Sequence, residues 1–74
     1  MLTEEYLTET MRACGAGQKL TSDFLDCCRK GKKEDAIHLL NRQRAKIMEH
    51  MHLSQRQVDI VDYLIREIKE EASL

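Results

Sequence analysis

Three histidines and three cysteines are the side chains here that could bind a metal ion or act in catalysis near neutral pH. His38 follows Cys27 and Cys28 across a turn predicted at Gly31, so a Cys/His metal site is conceivable. Such a site needs three or four convergent ligands, whereas adjacent cysteines on a helix point about 100° apart. The sequence therefore predicts no metal and no cofactor.

The remaining histidines do not form a catalytic set with their neighbours. His50 and His52 are two residues apart, whereas the histidines of a helical zinc motif are separated by four. Glu49 and His50 are adjacent, so they do not face one site together. The sequence contains no Gly-rich phosphate loop, nucleophile elbow or Glu-x-x-His motif. We therefore predict a protein that is not an enzyme.

The three cysteines, Cys14, Cys27 and Cys28, are an odd set without disulfide spacing. We interpret them as small, mostly buried hydrophobic residues in a reducing cytosol, and their role stays open. The first residues lack the basic and apolar regions of a signal peptide, and no run of 18 apolar residues occurs. These features predict a cytoplasmic protein.

The composition is typical of long helices. Proline is absent, glycine occurs three times, and 34% of the residues are charged. A chain of 74 residues forms one domain at most and is near the lower limit for a self-sufficient core. We predict an all-α fold in which residues 1–74 form a single helical-hairpin domain.

The first helix is predicted over residues 3–30, with Thr3 as its N-cap and Gly31 in the turn that follows. Its buried stripe is predicted to begin at Tyr6, Thr10 and Ala13. Two mid-helix glycines, at positions 15 and 17, make the helix slim there, so a partner helix can approach closely or the helix can bend.

The second helix is predicted over residues 33–72, because its core-type residues alternate at spacings of three and four for five heptads. The seam consists of Ile37, Leu40, Arg44, Ile47, Met51, Ser54, Val58, Val61, Ile65, Ile68 and Ala72. The short link makes the two helices antiparallel. Ser54 and Gln57 also match a capping box, so the alternative is a break near Ser54 and a three-helix bundle.

In the continuous hairpin, residues 60–72 project about 20 Å beyond the first helix, and this overhang is the densest apolar cluster of the sequence. Leaving it in water is too costly for a small domain. We therefore predict a homodimer that forms a four-helix bundle. The residues predicted to carry self-association are Phe24, Leu40, Ile47, Met51, Val58, Val61, Leu64, Ile65 and Ile68.

Basic residues near the hairpin tip support an alternative function in nucleic-acid binding. The candidate contacts are Arg29, Lys30, Lys32, Lys33, Arg42 and Lys46. Against this alternative, the region has no aromatic residue and no recognised nucleic-acid-binding motif. Membrane attachment is not predicted, because a strongly basic amphipathic helix and a lipidation signal are both absent.

The segment from Arg44 to Ile65, with its Ser-Gln-Arg and Asp-Tyr-Leu-Ile runs, resembles small uncharacterised helical-hairpin proteins of gut Firmicutes and their mobile elements. That resemblance implies a bacterial helical protein and no activity. The C-terminal part of the chain is also similar, in its pattern of apolar and charged residues, to the dimerisation helices of MerR-type regulators. Together these features predict a non-enzymatic helical interaction module, a small adaptor or regulatory protein acting through self-association, partner-helix binding or a larger protein partner.

Overall fold

The computed structural model describes residues 2–49 and 55–71, and that part of the chain contains helices and no strand. Its four helices are α1 (Glu4–Ala13), α2 (Gln18–Arg29), α3 (Lys33–Glu49) and α4 (Gln55–Glu70). The all-α prediction is confirmed. The prediction of two long helices is wrong, as the structure of each half shows. None of these helices is long and apolar enough to cross a bilayer.

The N-terminus of α1 follows the local signals of the sequence. Thr3 has extended backbone angles, and its Oγ1 accepts a hydrogen bond of 3.1 Å from the Tyr6 amide. This bond satisfies one of the amides that the first helical turn leaves without a partner. The predicted N-cap is therefore confirmed.

The first predicted helix is divided at Gly15. This residue has a φ of 79°, and its amide donates to the Arg12 carbonyl at 3.1 Å. The Ala16 amide donates to the Met11 carbonyl at 3.0 Å, which completes a Schellman motif and ends α1. The helix predicted over residues 3–30 is thus wrong, because glycine here adopts the left-handed conformation that terminates a helix.

The turn between α2 and α3 uses the same motif. Gly31 has a φ of 71°, and its amide donates to the Cys28 carbonyl at 3.2 Å. The Lys32 amide donates to the Cys27 carbonyl at 2.9 Å. Gly31 therefore has the left-handed conformation that the sequence predicts for it.

Helices α3 and α4 pack side by side. Arg44 Nε donates to Asp62 Oδ1 at 2.8 Å, whereas one continuous helix would separate these residues by about 27 Å. The helix predicted over residues 33–72 is therefore wrong. The predicted break near Ser54, with its capping box, lies outside the described residues. The alternative three-helix bundle also differs from the structure, because the first predicted helix is itself divided.

The four helices form a ring in chain order, in which α4 returns to pack against α1. Arg29 at the end of α2 pairs with Glu4 at the start of α1. Lys33 at the start of α3 donates to the carbonyl of Lys69 near the end of α4, at 3.4 Å. Neighbouring helices therefore run antiparallel. The result is an up-down-up-down bundle built within one chain.

The buried stripe of α3 and α4 keeps five residues of the predicted seam, Leu40, Ile47, Val58, Val61 and Ile68, and differs from it at three positions. The buried side chains are Ala36, Leu40, Gln43 and Ile47 on α3, and Val58, Val61, Leu64 and Ile68 on α4. Ile37, Arg44 and Ile65, which belong to the seam, are only half-buried. The reason is that each helix faces the axis of a four-helix ring rather than one partner helix, so the stripe turns toward that axis.

Gln43 is a buried polar residue that the sequence analysis missed. Its side chain is 5% exposed, and Nε2 donates to the Cys14 carbonyl at 3.1 Å. Cys14 itself is fully buried at the end of α1. Its carbonyl belongs to the last turn of that helix, where carbonyls lack a partner within the helix. Gln43 therefore ties the end of α1 to the middle of α3.

The turn at Gly15 gives a matched pair of glycine substitutions. Gly15→Ala is expected to destabilise the protein by about 1–2 kcal/mol, the cost of a left-handed non-glycine residue. The added Cβ would also lie 3.2 Å from Gln57 Nε2. Gly17→Ala is expected to change stability by no more than about 1 kcal/mol, because alanine restricts the unfolded chain but is less favourable than glycine at the N-cap of α2. Gly17 has a φ of −73°, and a Cβ added there would meet nothing within 4 Å.

Urea unfolding followed by circular dichroism measures both changes in the free energy of unfolding. A continuous first helix makes a different prediction, since alanine would then stabilise both positions by about 1 kcal/mol. A stabilising Gly15→Ala substitution would therefore contradict the turn between α1 and α2.

Candidate functional site

The residues predicted to carry self-association lie in the core of the single chain. Seven of the nine are buried there: Phe24, Leu40, Ile47, Val58, Val61, Leu64 and Ile68. Ile65 is half-buried against the same core, and Met51 lies outside the described residues. Self-association stays a prediction. The uncovered apolar overhang that motivated it is absent from the described part of α4, because α1 and α3 cover that helix.

Half of the residues at the predicted basic tip are engaged in contacts within the chain. Arg29 donates to both carboxylate oxygens of Glu4, at 2.6 and 3.0 Å. This hydrogen bonding lowers the pKa of Glu4 and raises that of Arg29. Lys30 Nζ lies 3.0 Å from Asp26, and Lys33 Nζ donates to backbone at the end of α4. These cations therefore stabilise helix ends and helix pairs.

The other three basic residues lie in two places. Lys32 is exposed at the turn. Arg42 and Lys46 line a broad groove of about 1010 Å³ between α2 and α3, which also contains Asp23 and Glu49. The structure thus does not bring the six predicted contacts together as one basic cluster. Nucleic-acid binding stays a prediction.

A second groove runs between α1 and α4, where the helical ring closes. Its volume is about 760 Å³. The apolar part of its lining consists of Ala13, Ile60 and the rings of Tyr6 and Tyr63. The groove is shallow and widely open to solvent, so it is a surface on which another protein could pack and not an enclosed ligand pocket. We name it the α1/α4 groove.

The α1 wall of this groove is the stripe that the sequence predicted to be buried. The buried residues of this segment are instead Leu7, Met11 and Cys14, one position further along the chain. Tyr6 is therefore 39% exposed, and Tyr63 on the opposite wall is 59% exposed. Tyrosine is enriched at protein interfaces, because its ring offers contact area at little entropic cost.

Tyr6 is held at one end of the groove by a contact across the two helices. Its hydroxyl donates to Glu67 Oε1 at 2.6 Å, and this hydrogen bond, with partial burial, raises the pKa of the phenol. Thr10 Oγ1 donates to the Tyr6 carbonyl at 2.8 Å. The hydrogen bond with Glu67 orients the ring of Tyr6 across the two helices.

The charge of the groove is mainly acidic. Glu9 lies on the α1 wall and Asp59 on the α4 wall, with Arg56 as the one basic side chain of the described lining. Asp59 accepts a hydrogen bond of 3.0 Å from Gln55 Nε2. These carboxylates flank the apolar lining on both sides, so the groove combines an apolar strip with negative charge.

The two sides of the molecule carry net charges of opposite sign. Helices α1 and α4 together contain seven acidic and four basic residues, a net charge of −3. Residues 18–49, which form α2, the turn and α3, contain five acidic and eight basic residues, a net charge of +3. The groove therefore lies on the negative side of a molecule whose two sides carry opposite charge.

Burial raises the pKa of two of the three cysteine thiols, Cys14 and Cys28. All three are free thiols, and Cys14 is buried in the core. Burial, with a smaller contribution from Cys27, raises the pKa of Cys28 to about 11. A protonated, half-buried thiol is a poor nucleophile at neutral pH. In residues 2–49 and 55–71, no three His, Cys, Asp or Glu side chains come together as metal ligands.

Comparison of the chain with protein-family models, curated proteins and solved structures finds no match. The resemblance of residues 44–65 to small helical proteins of Firmicutes stays a prediction.

Proposed function

We propose that this protein is a non-enzymatic interaction module that binds a helix of a partner protein in the α1/α4 groove. The observation that carries the proposal is a stripe on each wall that the described residues leave wholly or partly exposed. Tyr6, Thr10 and Ala13 follow one face of α1. Ile60 and Tyr63 follow the facing side of α4. A small adaptor or regulatory protein would use such a surface to hold a larger protein.

The groove is long enough for about two turns of a bound helix. Residues 6–13 of α1 and 55–63 of α4 line it, which corresponds to about 10–12 Å along each helix. This length covers about two turns of a partner helix. An amphipathic helix would present its apolar residues at positions i, i+3 or i+4, and i+7 to such a groove.

The expected affinity is modest. Covering each large apolar side chain contributes about 1.5–3 kcal/mol, but association costs at least about 4 kcal/mol in lost rigid-body freedom. Two turns of helix also bury less surface than a standard stable interface. The preset orientation of Tyr6 lowers the cost, since this ring does not have to be ordered on binding. We expect a dissociation constant in the roughly micromolar range.

Selection from a displayed library of helical peptides tests the proposal. The full chain is the bait, and the Tyr63→Ser variant is used to remove peptides that bind elsewhere. Peptides that survive are expected to share apolar residues at i, i+3 or i+4, and i+7, since only these positions reach the groove. The proposal would be overturned if no enriched peptide bound the wild-type chain more tightly than the Tyr63→Ser variant.

Met48 supplies a matched control for this experiment. It is 45% exposed on α3, outside the α1/α4 groove, whereas Tyr63 is 59% exposed within it. Both substitutions to serine remove an exposed hydrophobic side chain, so both variants should remain folded. Selected peptides should bind Met48→Ser like the wild type and lose binding to Tyr63→Ser. Equal losses would show that the groove is not the site.

A second copy of the chain is the other occupant that the sequence predicted. Light scattering during size-exclusion chromatography tests it directly. A mass of two chains that falls to one in the Tyr63→Ser variant would assign the groove to self-association instead of a partner helix. A mass of one chain at all concentrations leaves the groove open for a different protein.

A further inference from the structure

We propose that the helix bound in the α1/α4 groove is basic and amphipathic, with lysine or arginine beside its apolar stripe. This inference rests on the proposed function and specifies the chemistry of the partner. Glu9 and Asp59 stand on opposite walls, so they flank a bound helix on both sides. Positive side chains on either side of its apolar stripe would meet these carboxylates.

The neighbouring charges reinforce this assignment. Glu67 accepts the Tyr6 hydroxyl at one end of the groove, and this contact places a third carboxylate there. Arg56, the single basic residue of the described lining, leaves the carboxylates in excess. An acidic helix would bring like charges together at both walls, which costs affinity and slows encounter.

The electrostatic field of the whole molecule also favours a basic partner. The side formed by α1 and α4 has a net charge of −3, against +3 for residues 18–49. A positive helix is therefore attracted to the groove side and repelled from the opposite side, which raises the rate of productive encounters.

Charge also distinguishes a basic partner from a second copy of this chain. A symmetric dimer through the groove would press two sides of net charge −3 against each other. A contact between the groove of one copy and the positive side of the next does not close on itself, unless its rotation generates a ring. A basic helix from a different protein meets neither obstacle.

Three synthetic peptides of about 18 residues test the charge of the partner. They share leucines at helix-periodic positions and differ only in carrying lysine, glutamine or glutamate at the remaining positions. Fluorescence anisotropy with the full chain at low and physiological salt measures each affinity. The lysine peptide is expected to bind most tightly, about tenfold or more above the glutamate peptide, with a preference that falls as salt rises.

The double variant Glu9→Lys with Asp59→Lys should reverse this order, because it inverts the charge of both walls. The control is Asp23→Lys with Glu34→Lys, which changes the net charge equally at exposed positions on α2 and α3. It should alter the affinity of the lysine peptide by no more than about twofold, since these sites are outside the groove. Circular dichroism verifies that both double variants are folded.

Each result decides between the two proposals. Equal binding of the lysine and glutamine peptides, lost in Tyr63→Ser, would overturn the basic partner and leave the helix-binding groove intact. Tightest binding of the glutamate peptide, also lost in Tyr63→Ser, would likewise overturn the basic partner and leave the helix-binding groove intact. Lysine-peptide binding that survives Tyr63→Ser, or no binding of any peptide, would overturn both. Tightest binding of the lysine peptide, reversed by the groove variant and unaffected by the control, would support both.

Discussion

The Leu64→Asp variant is expected to be largely unfolded at neutral pH. Leu64 is fully buried between α4 and the other helices, so the variant loses apolar burial and places a carboxylate in the core. Substitutions of this kind cost at least about 4 kcal/mol, which is most of the stability of a domain of this size. Far-ultraviolet circular dichroism should show loss of helical signal.

The adjacent residue provides the control. Tyr63 is 59% exposed, so Tyr63→Asp introduces the same carboxylate into the same helix without burying it, at a cost of about 1 kcal/mol or less. This variant should keep its helical signal. If the chain formed the predicted two-helix hairpin, Leu64→Asp would keep its helical signal. The charge in the overhang would separate the two chains of the dimer while each hairpin stayed helical. A helical Leu64→Asp variant with an altered mass would therefore contradict the single-chain bundle.

The Phe24→Ala variant is expected to lose about 3–5 kcal/mol of unfolding free energy. Phe24 is fully buried on α2, in the core that all four helices share. Removing its ring leaves a cavity that the surrounding side chains fill only in part. Phe24→Leu retains much of the volume and should cost considerably less. Urea unfolding measures both variants, provided that Phe24→Ala keeps a folded baseline.

The dependence of the urea midpoint on protein concentration distinguishes a core within one chain from a core shared between two chains. If Phe24 packs within a single chain, the urea midpoints of the wild type and both variants should not change over about a hundredfold range of concentration. A dimer core would make each midpoint rise with concentration, because association stabilises the folded state by mass action. A midpoint that rises with concentration would support the predicted dimer and contradict the single-chain core.

Local signals predicted the ends of some helices correctly. Thr3 caps α1 and Gly31 has the left-handed conformation expected of it, because a cap or a Schellman turn is decided by a few adjacent residues. Gly15 carries the same signal as Gly31, with a basic residue in the preceding turn. It could have been recognised, but the following apolar residues suggested that the helix continued.

The heptad pattern was misleading for a different reason. The apolar spacing of α3 continues in phase into α4, since both helices bury a stripe against one core. Periodicity reports which face of each helix is buried, and it does not require one unbroken helix. Folding α4 back against α1 and α3 buries its apolar residues within the chain, which a continuous helix could do only with a partner.

The candidate site was still less accessible to sequence reasoning. Tyr6 was predicted in the core, and no role was predicted for Tyr63, yet both line the α1/α4 groove. A shift of one position along α1 exchanges the buried stripe for the exposed one, and side-chain types alone do not resolve it. The same limit applied to Gln43, whose burial depends on the position of the Cys14 carbonyl.

The sequence by itself determined that this protein is helical, where its first helix begins, and that the chain turns at Gly31, because these features depend on backbone preferences of neighbouring residues. Tertiary structure decided that the bundle closes within one chain, which stripe of α1 is buried, and that the described residues leave an acidic, tyrosine-lined groove open between α1 and α4. These outcomes depend on how much apolar surface distant segments bury together, which no local stretch of sequence specifies.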